Sequence, residues 1–272
     1  MKKQLLALAG IAVLFAACSK KEDAPSENPT TGLLKGMYSI TDTTRIEYNN
    51  DKTVSKIAYG YIDGTDVGGG ITTVKYANSK VSEIWETTYA ESKVFGPNEL
   101  LAQFVYVDNK IQKIINPGKA TDYLYYDSAR YNASGKLEKV FRYGGLKPNV
   151  TKGSTDSIVW TGNNITKVVH EGFYTDNGVE KLSYTYTDTY TFDDKPSWQA
   201  PLGAATMDGG FAPEAFNTNN ILTQTRVQAG QADRTNTYVY VYDEKNKVIK
   251  RTATFLFDQS PGTEVAVFEY YQ

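Results

Sequence analysis

One short pattern recurs along the chain and limits what it can fold into. It reads apolar, any residue, aromatic; then a turn of Asn, Asp, Gly or Ser; then Lys, apolar, any residue, Lys or Glu, apolar. The first copy runs Ile46-Glu47-Tyr48, turns through Asn49-Asn50-Asp51-Lys52-Thr53 and returns as Val54-Ser55-Lys56-Ile57. Further copies turn after Tyr76, Tyr106, Tyr131, Trp160 and Tyr242 and return at Val81, Ile111, Leu137, Ile165 and Val248. Apolar residues alternating with polar ones on either side of a tight turn are the signature of a β-hairpin. The turn residues tolerate the positive φ such a hairpin needs, and the Lys beside them is expected to cap and solubilise the ends.

A degenerate copy at Tyr190-Thr191-Phe192-Asp193-Asp194-Lys195-Pro196 puts proline where a return strand should begin, and another return starts at Asn219-Asn220-Ile221. Counting both, about eight hairpins follow one another in steps of about 25 to 31 residues, each long enough for two strands and two connections. A lone hairpin is marginal in water, so consecutive units must pair edge to edge. The predicted fold is all-β: an antiparallel meander of about fifteen to seventeen strands, closed into a large water-soluble barrel because so many twisted strands do not stay open. The 21 Tyr and 11 Phe, set among Thr and Val, fit half-buried pleated surfaces.

The start of the chain addresses location. Met1-Lys2-Lys3 leads into an apolar run ending at Cys18, which predicts a signal peptide over 1–17. The run is too short to span a bilayer as a helix. Leu14-Phe15-Ala16-Ala17 before Cys18 resembles a bacterial lipobox, and Cys18 is the chain's single cysteine, so lipidation at Cys18 is expected. Residues 18–32, polar with two prolines, read as a flexible tether, and 33–272 as one β-hairpin-repeat domain. The acids Glu22 and Asp23 soon after Cys18 favour the outer face of an outer membrane over its periplasmic face.

Chemistry is sparse. A net charge of −2, with 29 basic residues spread along the strands, argues against nucleic acid as a partner. One histidine and one cysteine cannot build a His/Cys zinc site, and no metal or cofactor is expected. His170, in Val168-Val169-His170-Glu171, has an ordinary strand context with no nucleophile elbow. Gly68-Gly69-Gly70 is not followed by Lys and Ser or Thr, and reads as a flexible hairpin tip. Asp193, Asp194 and Asp208 flank the longest irregular stretch and are expected to bond local backbone. Asp42-Thr43-Thr44, Asp127-Ser128-Ala129 and Asp156-Ser157-Ile158 resemble short acid-hydroxyl-apolar glycosylation sites.

The most function-like segment is 196–220, which carries Trp198, Phe211 and Phe216 among prolines and glycines. A loop of that length inside a compact β domain is usually functional or folded as a plug. The two readings are a barrel plug and a stacking platform for a glycan or peptide, with Trp198, Phe211 and Phe216 as the candidate ligand-binding residues.

The Tyr-x-x-Asp hairpins, the break at Asp193-Asp194-Lys195-Pro196-Ser197-Trp198 and the restart at Asn217-Thr218-Asn219-Asn220-Ile221 together resemble a family of uncharacterised secreted lipoproteins of gut bacteria, distantly similar to YD-repeat shells. The resemblance spans about residues 35 to 272 and implies a porin-like fold; it implies no catalytic residues. The expectation is an outer-membrane-anchored, surface-exposed, monomeric lipoprotein that binds a glycan or peptide and performs no chemistry. The alternatives are a structural envelope shell without a soluble ligand and a carboxylate glycosidase.

Overall fold

The computed structural model describes residues 30–90, 94–118, 122–257 and 261–272. Cys18, the signal segment and most of the tether lie outside the described residues. The strands are β1 (Leu34–Tyr38), β2 (Asp42–Tyr48), β3 (Val54–Asp63), β4 (Asp66–Ala77), β5 (Lys80–Tyr89), β6 (Glu99–Val107), β7 (Lys110–Asn116) and β8 (Tyr123–Tyr131). There follow β9 (Leu137–Leu146), β10 (Thr151–Thr161), β11 (Asn164–Asp176), β12 (Val179–Pro196), β13 (Asn219–Val227), β14 (Arg234–Tyr242), β15 (Val248–Phe255) and β16 (Gly262–Tyr270). Each pairs antiparallel with its neighbours in sequence, and β1 pairs with β16, which closes the barrel. The meander, the closure and a strand count within the expected range follow from the repeat.

The repeat's aromatic has a specific structural task. In all six clear copies the register slips by one residue immediately before Tyr48, Tyr76, Tyr106, Tyr131, Trp160 and Tyr242. Such a bulge re-aims the side chain that follows it. Most of these rings reach sideways to the strand before: Tyr48 donates to the Leu34 carbonyl at 2.8 Å, Tyr76 to Val54 at 2.8 Å, Tyr131 to Ile111 at 2.8 Å, and Trp160 Nε1 to Leu137 at 2.7 Å. Tyr270 makes the same bond to Val248 at 2.9 Å. One end of the barrel is thus girdled by aromatics that tie each hairpin to its predecessor. The turn lysines do more than solubilise: Lys80, Lys110, Lys136 and Lys247 lie 5.0–5.3 Å above the rings of Tyr106, Tyr131, Trp160 and Tyr270, a cation–π contact between successive repeats.

Two expectations are corrected. Pro196 does not begin a return strand; it ends the long β12 and sits in register with Asn219, so one connection, not a separate hairpin, separates them. Gly68-Gly69-Gly70 is no hairpin tip but lies within β4, where cross-strand tyrosines occupy the space of the missing side chains. A Cβ on Gly70 would lie 2.8 Å from the Tyr59 hydroxyl, and one on Gly69 only 2.3 Å from the Tyr59 carbonyl.

Just inside the girdle the interior is an aliphatic core. Ile46, Ile84, Ile114, Leu137, Val140, Ile165, Val168 and Val248 are buried there, drawn from six of the repeats. Their burial supplies the non-directional stabilisation that closure requires. Outside, the wall from β2 to β9 carries exposed ion pairs such as Lys56–Glu47, Lys75–Glu83 and Arg130–Glu138. Such pairs suit contact with water, since charge on a lipid-facing wall is costly.

Candidate functional site

The connection from β12 to β13 folds back into the girdled end of the barrel through two short 3-10 turns, Gly203–Thr206 and Pro213–Phe216. Its stem is pinned by side chains that replace the missing strand ladder. Asp193 accepts the backbone N–H groups of Lys195 at 3.0 Å and Asn220 at 3.1 Å, and Tyr242 donates to its other oxygen. The Asn217 side chain accepts the Ile165 N–H at 2.6 Å. Asp193 therefore plays the local backbone role its sequence context implies; Asp208 does likewise at Gly209, with 2.9 Å.

The tip of the connection is core. Leu202, Ala205, Met207 and Phe211 join the aliphatic cluster, and Phe211 is only 4 % exposed. Phe216 is half-buried and stacks against Phe211 at 6.4 Å between ring centres. Trp198 lies elsewhere. Half-buried, it packs edge-on against Phe268 at 5.1 Å and lines a cavity of about 280 Å³ with Leu34, Pro196, Pro201, Lys247 and Tyr270. The three aromatics named from sequence thus separate: Phe211 is sequestered, Trp198 borders the cavity of about 280 Å³, and Phe216 borders a second hollow of about 380 Å³ beside Tyr106, Tyr131 and Trp160.

Above the plug runs a belt of charge that sequence reasoning missed as a unit. Six adjacent strands, β8 to β13, each point one charged or ionisable residue inward: Asp127, Arg142, Asp156, His170, Asp188 and Arg226. Arg142 lies 3.6 Å from Asp127 and 2.5 Å from Asp156. His170 Nδ1 meets Asp156 at 2.7 Å and its Nε2 faces Asp188 at 3.5 Å. Arg226 grips Asp188 with two bonds of 2.8 Å, and Gln224 adds a third at 3.0 Å. All three carboxylates are essentially buried. The aspartates of two of the three acid-hydroxyl-apolar triplets are members of this belt, while Asp42 of the third is exposed on β2.

The belt is also the plug's dock. Asp127 accepts the Phe211 N–H at 2.9 Å, and a Cβ on Gly210 would lie 2.4 Å from the Asp127 carboxylate. On the neighbouring strand Asn116 donates to the Asp208 carbonyl at 2.8 Å.

Three carboxylates face two guanidinium groups and one imidazole. Burial lowers the His170 pKa, but its hydrogen bond to Asp156 and the facing Asp188 carboxylate outweigh that and leave it raised. Burial pushes Asp188 up, yet Arg226 and His170 hold it well below the usual carboxylate range, and Asp156 is lowered in the same way. Asp127 is raised, because burial there exceeds the opposing pull of Arg142. Because folding raises the His170 pKa, its stabilisation is fully present below about pH 6.5 and is lost as pH climbs through the folded value. Denaturant midpoints measured from about pH 5.5 to 9 are expected to fall across that window in the native chain. His170→Gln should lower the midpoint at the acidic end and flatten the slope; a slope unchanged in that variant would assign the sensitivity to another group.

His170 has no nucleophile to serve: its two nitrogens face carboxylates and its ring stacks on Tyr186 at 4.4 Å. Asp156 and Asp188 are likewise held by cations, and one oxygen of Asp127 is held by the Phe211 N–H.

No protein-family model and no curated sequence matches the chain. Among solved structures it is similar to a porin-like protein from Bacteroides uniformis, with 11 % identity and a TM-score of 0.54 over 88 % of this chain and 98 % of that one. A porin-like protein from Bacteroides vulgatus aligns over the same shares at 10 % identity and a TM-score of 0.39, too low to argue from. At such identities the likeness concerns the backbone alone, and the chain has the fold of a porin-like β-barrel.

Proposed function

We propose that this is a lipid-anchored binding barrel of an outer membrane, attached through Cys18, that performs no chemistry and takes a glycan or peptide at the Trp198 cavity. The observation that carries the reading is the separation of the loop's aromatics. Phe211 completes the core, which leaves Trp198 beside about 280 Å³ of open space with two prolines and Tyr270, a mostly apolar lining able to stack on a sugar ring or an apolar side chain. The charged outer wall from β2 to β9 supports a barrel standing in water with its attachment supplied by lipid. A carboxylate glycosidase needs an acid and a base free to exchange protons; Asp127, Asp156 and Asp188 are instead tied into the belt.

On a glycan and peptide array probed well below the melting temperature, retention is expected for the native chain and for Phe211→Leu, and not for Trp198→Ala. Retention that survives Trp198→Ala would remove the cavity from consideration. A second reading, a structural envelope barrel without a soluble ligand, is favoured by the filled interior at the girdled end; an array silent for the native chain would support it.

A further inference from the structure

The outer wall of β12 to β16 differs from the rest of the barrel. Its outward residues fall into four ranks in register. Thr189, Thr225 and Thr235 form the first, and Thr191, Thr223, Thr237, Thr254 and Thr263 form an unbroken second across all five strands. Val239, Thr252 and Val265 form the third, and Val241, Lys250 and Val267 the fourth. Lys250 is the one charged side chain in these ranks, whereas the wall from β2 to β9 carries ion pairs between β2 and β3, β4 and β5, and β8 and β9. The valines are well exposed: Val239 by 64 %, Val267 by 52 %, Val241 by 48 % and Val265 by 42 %. Two ranks of threonines and two of aliphatics therefore face outward with almost no charge among them.

Many of the threonine hydroxyls are already satisfied by one another. Thr191 and Thr223 lie 2.6 Å apart, Thr225 and Thr235 2.9 Å, and Thr254 and Thr263 3.5 Å. A hydroxyl bonded to its neighbour keeps that bond when water leaves, so drying this face costs less than its composition implies. With strands about 4.8 Å apart and rising about 3.4 Å per residue, the face measures roughly 20 by 24 Å. That is on the order of 500 Å² in projection, at the upper end of what a monomer leaves uncovered and at the small end of specific interfaces.

We infer that this face is a self-association surface, and that two copies of the chain pack outer wall to outer wall about a two-fold axis that lies between the two walls and runs along the strands, between β14 and β15. An isologous contact needs a patch that complements itself. Here the axis sets the aliphatic ranks of one copy against those of the other, with no like charges opposed beyond Lys250, which lies in the rank farthest from the threonines and can turn toward Glu269 at the margin, itself paired with Lys35 at 2.6 Å. A lipid surface is the poorer occupant, because two of the four ranks are hydroxyl-bearing. Convex walls meet over part of the face only, so the dimer is weak. This replaces the monomer expected from composition and is independent of the Trp198 reading.

The test is sedimentation velocity on the full chain carrying Cys18→Ser, so that no lipid is attached, from about 1 to 200 μM. The expected result is a sedimentation coefficient that rises with concentration toward a dimer and is little changed by added salt, since the contact lacks charge. Val239→Asp and Val265→Asp, each at an exposed position the fold tolerates, should raise the dissociation constant at least ~10-fold. Val105→Asp, equally exposed on the far wall at β6, should leave it unchanged. A native chain that stays monomeric to the highest concentration overturns the inference. So does a dimer indifferent to both substitutions, or flotation of the unlipidated chain with phosphatidylethanolamine–phosphatidylglycerol vesicles that Val239→Asp abolishes.

Discussion

Asp188→Ala is expected to destabilise the barrel by about 3–5 kcal/mol, the cost of leaving a buried charge without its partner. The substitution strips two hydrogen bonds from Arg226 and one from Gln224, and removes the carboxylate that faces His170 Nε2. Arg226 cannot shed its proton and cannot leave easily, since its guanidinium also lies 4.1 Å over Tyr186 and 4.6 Å over Phe257. Denaturant unfolding at neutral pH measures the loss, and His170 supplies a second readout. With one of its two carboxylates gone, its pKa should drop, and the fall in stability on raising the pH should begin at lower pH. A loss under about 1 kcal/mol would mean that water reaches the belt and screens it, making the pairs equivalent to surface ones.

The belt was legible in the sequence, but only after the repeats are aligned. Asp127, Asp156 and Asp188 each stand four residues before their repeat's aromatic, Tyr131, Trp160 and Phe192. Arg142, His170 and Arg226 each stand five residues after the first return residue, Leu137, Ile165 and Ile221. The second offset yields Tyr59, Glu86 and Asn116 on the other side of the barrel, and the first Thr44, Thr72 and Ala102, so these positions mark one level of the interior. Read singly, His170 is a strand histidine and Asp127 the acid of an acid-hydroxyl-apolar triplet, since a period-two pattern tells inside from outside and not height. Height is set by the common bulge and turn, which act identically in each hairpin, so position within the repeat stands in for height.

Hairpins and closure were legible for the opposite reason. Asn109, at the β6–β7 turn, adopts a φ of 64°, and Asn246, before β15, one of 60°, as the tight turns demand; these are local requirements written in local residues. Pro196 was misread because its local chemistry, a residue without an N–H, argues equally for a strand that fails to start and for one that ends. The pin that decides between them, Asp193 with Asn220, joins residues 27 positions apart. The plug's docking on Asp127 is longer still, across 84 residues, and no spacing rule reaches it.

Phe211→Ala is therefore the sharpest test of what the long connection is. If residues 196–218 form a loop resting on a finished barrel, removing one ring lets the loop loosen while the barrel melts as before. If the tip completes the core, the loss is that of a buried aromatic, about 3–5 kcal/mol, because the cavity opens against the rigid wall that carries Ile114 and Val140. The second outcome is the expected one. Phe211 is as buried as the strand residues around it, its N–H is spent on Asp127, and Gly210 beside it admits no side chain, so the tip has little room to resettle. Thermal unfolding followed by near-ultraviolet circular dichroism and by tryptophan fluorescence should then shift together and remain one transition, since Trp198 at the base of the plug and Trp160 in the girdle report on both parts. A fluorescence change preceding loss of the barrel signal in the variant alone would show that the plug unfolds by itself, making it a removable lid.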